Sequence, residues 1–241
     1  MFTRKKGDKN IAKNDKQVQE YPWHLQGKKA LLIANGGASR ELVKKLVERV
    51  DIIIAVDGGA KILKSLSLIP SVLVGDFDSL DIATLNYFRE LGVDIRKFPA
   101  EKDEIDSELG SMVAQEQGAK IQIFTGVIGD RIDHSLGVIQ LMSLLKRKGL
   151  IPHIIEERFE IGILENESLE IHCSKGELWS ILPLSGDVGE LTLDGFKYKL
   201  KRAKMSFGKP FGISNETTEN KVKIDVKNGN IIFIRWRERP C

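Results

Sequence analysis

The 241-residue chain is poor in cysteine, has no long apolar run and carries neither of the common glycine fingerprints for nucleotides. Its two cysteines, Cys173 and Cys241, cannot build a disulfide framework or a four-thiolate zinc site. Apolar stretches such as 52–56 cover only a few residues, against the roughly 20 needed to cross a bilayer, so no membrane is expected as a partner. Residues 1–20 have no apolar segment of the secretory kind, which makes the cytoplasm the expected compartment. GxxxxGK[ST] and GxGxxG are absent, which removes a P-loop and a dinucleotide fold of the usual type. No Ser-His-Asp or Cys-His arrangement stands out as a nucleophilic centre.

Charge of one sign is also lacking over most of the chain. The formal net charge of +3 belongs to residues 1–20, where six Lys and Arg face three acids, and the remaining residues balance. A nucleic-acid partner is therefore not expected. The polar, aperiodic start predicts a disordered basic tail over residues 1–22.

What is present is a recurring unit. Apolar runs at 29–34, 52–56 and 72–74 each end in a polar or glycine-containing loop and lead into a helical pattern, and further strands are expected at 94–98 and 120–125. Alternating strands and helices predict a parallel sheet covered on both faces, with a site built from loops at the strand C-termini. From about residue 158 the pattern changes to short alternating stretches separated by Gly, Asn, Asp and Ser, the mark of an antiparallel sandwich. The expected organisation is α/β, with a parallel-sheet domain over 23–157 followed by an all-β sandwich over 158–241.

The acids concentrate beside those loops. Between residues 76 and 108 ten acids face four bases, a density that calls for a cation or full solvation. In Gly75-Asp76-Phe77-Asp78-Ser79, extended backbone projects Asp76 and Asp78 to one side and turns Phe77 to the core. Two close carboxylates repel unless a proton or metal lies between them, and oxygen ligands favour Mg2+. Asp78 or Ser79 equally suits a helix cap. Lys102-Asp103-Glu104-Ile105-Asp106 opens a helix with an expected buried stripe of Ile105, Leu109 and Met112. Asp103 fits its N-cap and Asp106 a capping-box-like position, while a helix start with acids and a lysine also suits a metal-bound phosphate. Gly126 to His134 opens another helix, expected to bury Leu136, Ile139, Met142 and Leu145. There Arg131 can pair with phosphate, and Asp133 and His134 fit either a ligand or local structure. Asn35-Gly36-Gly37 and Asp57-Gly58-Gly59 are weaker signals of the same kind. Taken together, the loops point to a magnesium-dependent site for a phosphorylated ligand.

These motifs resemble the thiamine pyrophosphokinase family. The resemblance rests on Asp57-Gly58-Gly59-Ala60, Gly75-Asp76-Phe77-Asp78-Ser79, Lys102-Asp103 through Glu108, Arg131-Ile132-Asp133-His134, Gly195-Phe196-Lys197-Tyr198 and Gly212-Ile213-Ser214-Asn215-Glu216. It implies a homodimer, with ATP and thiamine as small-molecule partners and thiamine held between the α/β half of one subunit and the sandwich of the other. The implied reaction is transfer of the pyrophosphoryl group of ATP to the thiamine hydroxyl, giving thiamine diphosphate and AMP. The residues implied are Asp76, Asp78 and Asp103 as Mg2+ ligands with Asp57 near them, and Asp106 for the hydroxyl. Gly58, Lys102, Arg131, Asp133 and His134 fall on the nucleotide side, and Ser214 and Asn215 face thiamine. Ile105, Val138, Asp130 and Lys61 stand where the family usually has Thr, Asn, Gly and Asn. The alternatives are a related diphosphokinase for another hydroxymethyl heterocycle, such as a pterin, and a non-catalytic nucleotide-binding protein of the same fold.

Overall fold

The structure is a computed structural model that describes residues 21–99, 101 and 103–240. Residues 1–20, and with them nearly all of the expected tail, lie outside these, as do Ala100, Lys102 and Cys241. The last two residues assigned to the tail belong to the folded body. Tyr21 is buried, with its ring edge-on to His153 at 5.2 Å between centroids and to Phe233 at 6.1 Å.

The first half alternates as expected: β1 (Lys29–Ile33), α1 (Arg40–Val47), β2 (Ile52–Val56), α2 (Ala60–Ser65), β3 (Val72–Gly75), α3 (Ile82–Glu90), β4 (Asp94–Lys97), α4 (Asp106–Glu116), β5 (Ile121–Thr125) and α5 (Ile132–Arg147). A sixth strand, β6 (Ile151–Ile155), is hidden in the sequence because Pro152 and His153 interrupt its apolar pattern. All six strands run parallel in the order β6-β5-β1-β2-β3-β4. Every strand of β1 and β2 presents its side chains alternately to two cores. Ala30, Leu32, Ile54 and Val56 meet α4 and α5 on one face, whereas Leu31, Ile33 and Ala55 meet α1, α2 and α3 on the other. Sealing a side chain such as Leu32 or Ile33 stabilises the fold by about 1.5–3 kcal/mol.

Two helices bury a different stripe from the one expected. In α4 the buried apolar residues are Leu109, Val113 and Ala114, and Met112 is exposed; in α5 they are Val138, Leu141, Met142 and Leu145, and Leu136 is exposed. Gly110 explains the rotation of α4: a Cβ there would meet Val56 at 2.8 Å and Leu32 at 3.1 Å, so the helix seats its glycine directly on β1 and β2.

The second half consists of β7 (Phe159–Glu165), β8 (Ser168–His172), β9 (Leu178–Pro183), β10 (Val188–Asp194), β11 (Leu200–Met205), β12 (Asn215–Glu216), β13 (Lys221–Lys227) and β14 (Asn230–Trp236). Antiparallel pairs form a second sheet in the order β11-β10-β13-β8. The opposing layer is β12-β9-β14-β7, and it continues directly into β6 of the parallel sheet, so ten strands share one hydrogen-bonded surface. The boundary expected between residues 157 and 158 falls in the turn joining β6 to β7. Trp179, Phe196 and Phe233 fill the core between the two layers.

A buried charge network marks the junction. Glu160 on β7 is 1% exposed; its carboxylate accepts from Arg235 at 3.1 Å and Arg237 at 3.0 Å, with His153 Nε2 at 3.4 Å. Arg235 also grips Glu177 in bidentate fashion at 2.7 and 3.0 Å. Burial alone raises the Glu160 pKa, but His153, Arg237 and Arg235 outweigh it and hold the group at about 2.

Candidate active site

The order of the parallel strands reverses between β1 and β5, and the loops leaving their C-terminal ends diverge there, the usual place for a ligand crevice in an open α/β sheet. A cleft of about 740 Å³ opens at this point. Its walls come from the loops after β1 (Asn35, Gly36, Gly37), β2 (Asp57), β3 (Asp76, Asp78, Ser79) and β5 (Gly126, Val127, Gly129, Asp130, Arg131), together with the starts of α4 and α5 (Ile105, Asp106, His134, Val138).

Asp57, Asp76 and Asp78 offer one carboxylate oxygen each within 4.8 Å of one another. The convergence of Asp76 and Asp78 does not come from extended backbone. Phe77 adopts φ +65°, the chain turns, and the Asp78 N–H donates to Asp76 Oδ1 at 3.0 Å while the Phe77 ring stays buried. Asp57 has φ +46° and accepts a short hydrogen bond from Ser79 Oγ, leaving its buried Oδ1 without a hydrogen-bond partner among the described residues. The Asp78 carboxyl is pushed above its ordinary value, chiefly by the charge of Asp76 and then by desolvation and Asp57. Three carboxylates with an unpartnered buried oxygen form a donor set suited to a hard divalent cation.

The helix-cap readings are also resolved. Asp81, rather than Asp78 or Ser79, caps α3 by accepting from Thr84 N at 2.7 Å. Helix α4 begins at Asp106 with Ile105 in the cap position, so Asp103 is not its N-cap. Asp103 is exposed and stands outside both the carboxylate group and the cleft lining, whereas Asp57 belongs to both. Lys102 lies outside the described residues.

At the other wall Arg131 and Asp133 form a bidentate pair at 2.9 and 2.6 Å, both exposed. Asp133 is thereby held well below the usual carboxylate range, chiefly by its hydrogen bonds from Arg131. Arg131 and His134 line the cleft; Asp133 reaches it through Arg131. Gly58 is buried in the short 3-10 turn after β2.

Two family models cover the chain in succession, "Thiamin pyrophosphokinase, catalytic domain" over residues 43–151 and "Thiamin pyrophosphokinase, vitamin B1 binding domain" over 165–231. The thiamine pyrophosphokinase of Bacillus subtilis (strain 168) is 32% identical over 184 residues, covering 76% of this chain and 86% of that protein. The chain belongs to the thiamine pyrophosphokinase family. The crystal structure of the B. subtilis enzyme matches the fold with a TM-score of 0.78 at 28% identity, over 88% of this chain and 100% of that one. That of Geobacillus thermodenitrificans matches with 0.74 at 27% identity, over 88% and 99%.

In this thiamine pyrophosphokinase-family chain, Ser214 and Asn215 sit on the sandwich and do not line the cleft of the same chain. Asn215 is buried and clasps the backbone of Tyr198, accepting from its N–H and donating to its carbonyl, each at 3.0 Å. Ser214, by contrast, is exposed at φ +62°. Around it Tyr198, Phe207, Phe211 and Ile213 are exposed as well. Sequence reasoning missed Glu156, which lies buried beneath the loop after β5; a lone acid following an apolar strand has no periodicity to reveal it.

Proposed function

We propose that this chain is a thiamine diphosphokinase that transfers the diphosphoryl group of ATP to the hydroxyl of thiamine, releasing AMP. The observation that carries this reading is the convergence of Asp57, Asp76 and Asp78 in one cleft at the sheet switch point of a thiamine pyrophosphokinase-family chain. The hydroxyl oxygen attacks the β-phosphorus, the bond from that phosphorus to the α,β-bridging oxygen breaks, and the proton leaves the attacking oxygen. Asp106, at the first turn of α4 and on the cleft wall, orients the hydroxyl and receives that proton. Asp57, Asp76 and Asp78 hold Mg2+, which when bound offsets the negative charge of the phosphates. Arg131, steadied by Asp133, and His134 contact the nucleotide, and Gly58, whose missing side chain makes room for Asn35, lets that residue pack on the nucleotide side of the cleft.

Residues 23–157 then form the nucleotide- and metal-binding half, and 158–241 the thiamine-binding half. Because Ser214 lies outside the cleft of its own chain, thiamine is held in a cytoplasmic homodimer, with Ser214 facing the cleft of the other subunit and Asn215 fixing the loop beside it. The exposed Phe207, Phe211 and Ile213 supply an apolar surface that a second copy would cover. Incubation with ATP, Mg2+ and thiamine should yield AMP and thiamine diphosphate in equal amounts. Formation of AMP only with a pterin alcohol would overturn the thiamine assignment, and no turnover with either would overturn the enzymatic one.

A further inference from the structure

One buried carboxylate has no part in the chemistry described. Glu156 follows the last residue of β6, at the same edge of the parallel sheet as the cleft, and is 8% exposed. Its Oε2 accepts from Gly126 N–H at 3.2 Å, and its Oε1 accepts from Val127 N–H at 3.1 Å and Ile128 N–H at 3.3 Å. Burial pushes the Glu156 carboxyl up, and these three amides oppose that by favouring the charged form. Consecutive amides after a strand commonly cradle a ligand anion. Here the chain supplies its own anion, and those amides are not available to phosphate.

The neighbouring residue does the same for the other glycine loop. Glu157 accepts a short hydrogen bond from Ser39 Oγ, and Ser39 caps α1 by accepting from Leu42 N–H at 3.1 Å. Between these two anchor points Gly36 N–H donates to Gly126 O at 2.6 Å. A Cβ at Gly36 would lie 2.3 Å from that oxygen, so only glycine permits the loops to meet this closely. Both loops are thus bonded to each other and to one three-residue turn, the turn that carries the chain into the sandwich.

We infer that Glu156, with Glu157 beside it, is the positioning residue for the glycine-loop wall of the cleft, setting where Arg131 and the loop backbone meet the nucleotide. The inference rests on the reading of that cleft as the ATP site. Glu156→Gln puts an amide donor opposite backbone donors and removes at least one acceptor, so part of the loop loses its anchor while the side-chain volume is kept.

Amide hydrogen exchange on the free protein tests the anchor without any turnover. In Glu156→Gln the amides of residues 126–128 should exchange about tenfold faster or more, while those of β1 and β5 keep their protection. The KM for ATP should rise about tenfold in this variant with kcat and the KM for thiamine within about twofold. Glu157→Ala, at an exposed position, should raise the KM for ATP about twofold. Unchanged exchange at 126–128 in a folded Glu156→Gln, or a fall in kcat with the KM for ATP intact, would overturn the positioning role. If Glu156→Gln does not fold, an unchanged KM for ATP in Glu157→Ala overturns it instead. Failure of the wild type to form thiamine diphosphate would count against the functional reading alone, because the exchange result stands apart from it.

Discussion

Glu160 and Asp76 are both acids placed by the great sheet, and their surroundings are opposite. Glu160 is sealed among Arg235, Arg237 and His153, so its charge is balanced from within the chain. Asp76 stands at the rim of the cleft facing Asp57 and Asp78, and within that group every partner repels it. A balanced buried cluster is a structural element, because its charges have nothing left to bind. An unbalanced one at a cleft is tuned for a cation that arrives from outside. Density of acidic residues therefore carries little information until the location of the opposing charge is known.

The contrast breaks most visibly at Asp76. Asp76→Asn should lower turnover by two orders of magnitude or more while far-ultraviolet circular dichroism and the thermal midpoint stay close to those of the wild type; near-normal turnover would remove the ligand assignment. Glu160→Gln should do the reverse. Arg235 keeps Glu177 and Arg237 is exposed, so taking the charge from this buried carboxyl weakens its hydrogen bonds without stranding either arginine, and costs about 1.5–3 kcal/mol of stability in denaturant titration, with KM values little changed in the molecules that remain folded. Since the Glu160 carboxyl titrates at about 2 in the folded chain, below its ordinary 4.5, its stabilisation is complete above the ordinary value and is lost as the pH falls from there toward about 2. Acid unfolding of Glu160→Gln should accordingly be shallower over that window. Magnesium alone gives the next effect: at a hundredfold excess over its Kd it should stabilise the wild type by about 2.7 kcal/mol, and Asp76→Asn should lose that gain. The smallest change is expected from Asp78→Asn without metal. Relief of the repulsion from Asp76, which raises the Asp78 pKa, should lift the thermal midpoint slightly at neutral pH, and a clear drop would contradict the picture of an unbalanced cluster.

Where the sequence pattern had a period or a punctuation mark, the fold was legible. Asp57-Gly58-Gly59 and Gly75-Asp76-Phe77-Asp78 end their strands as expected, and the alternating stretches after residue 158 are sandwich strands. Strand β6 was not legible, because Pro152 and His153 look like a break and become acceptable only between β5 and β7. Within the site, the grouping of Asp76 and Asp78 was foreseen for the wrong local reason, a pleat instead of the left-handed turn at Phe77. That Asp57 lies beside Asp76 and Asp78 while Asp103 does not was illegible, because proximity across β2 and β3 depends on strand order, which spacing along the chain does not encode. Glu156 and Glu160 were invisible for the same reason, since the amides that meet Glu156 and the arginines that meet Glu160 lie 28–30 and 75–77 residues away.

The uninterrupted passage from β6 into β7 sets how the molecule can come apart. A fragment ending at residue 157 would leave the β6 edge unpaired over residues 153–155, and one starting at 158 would leave the β7 edge unpaired over 160–162, each an open edge for self-association. The two halves are therefore not interchangeable cassettes: expressed separately they should aggregate, and in the whole chain heat or denaturant should melt them in one transition.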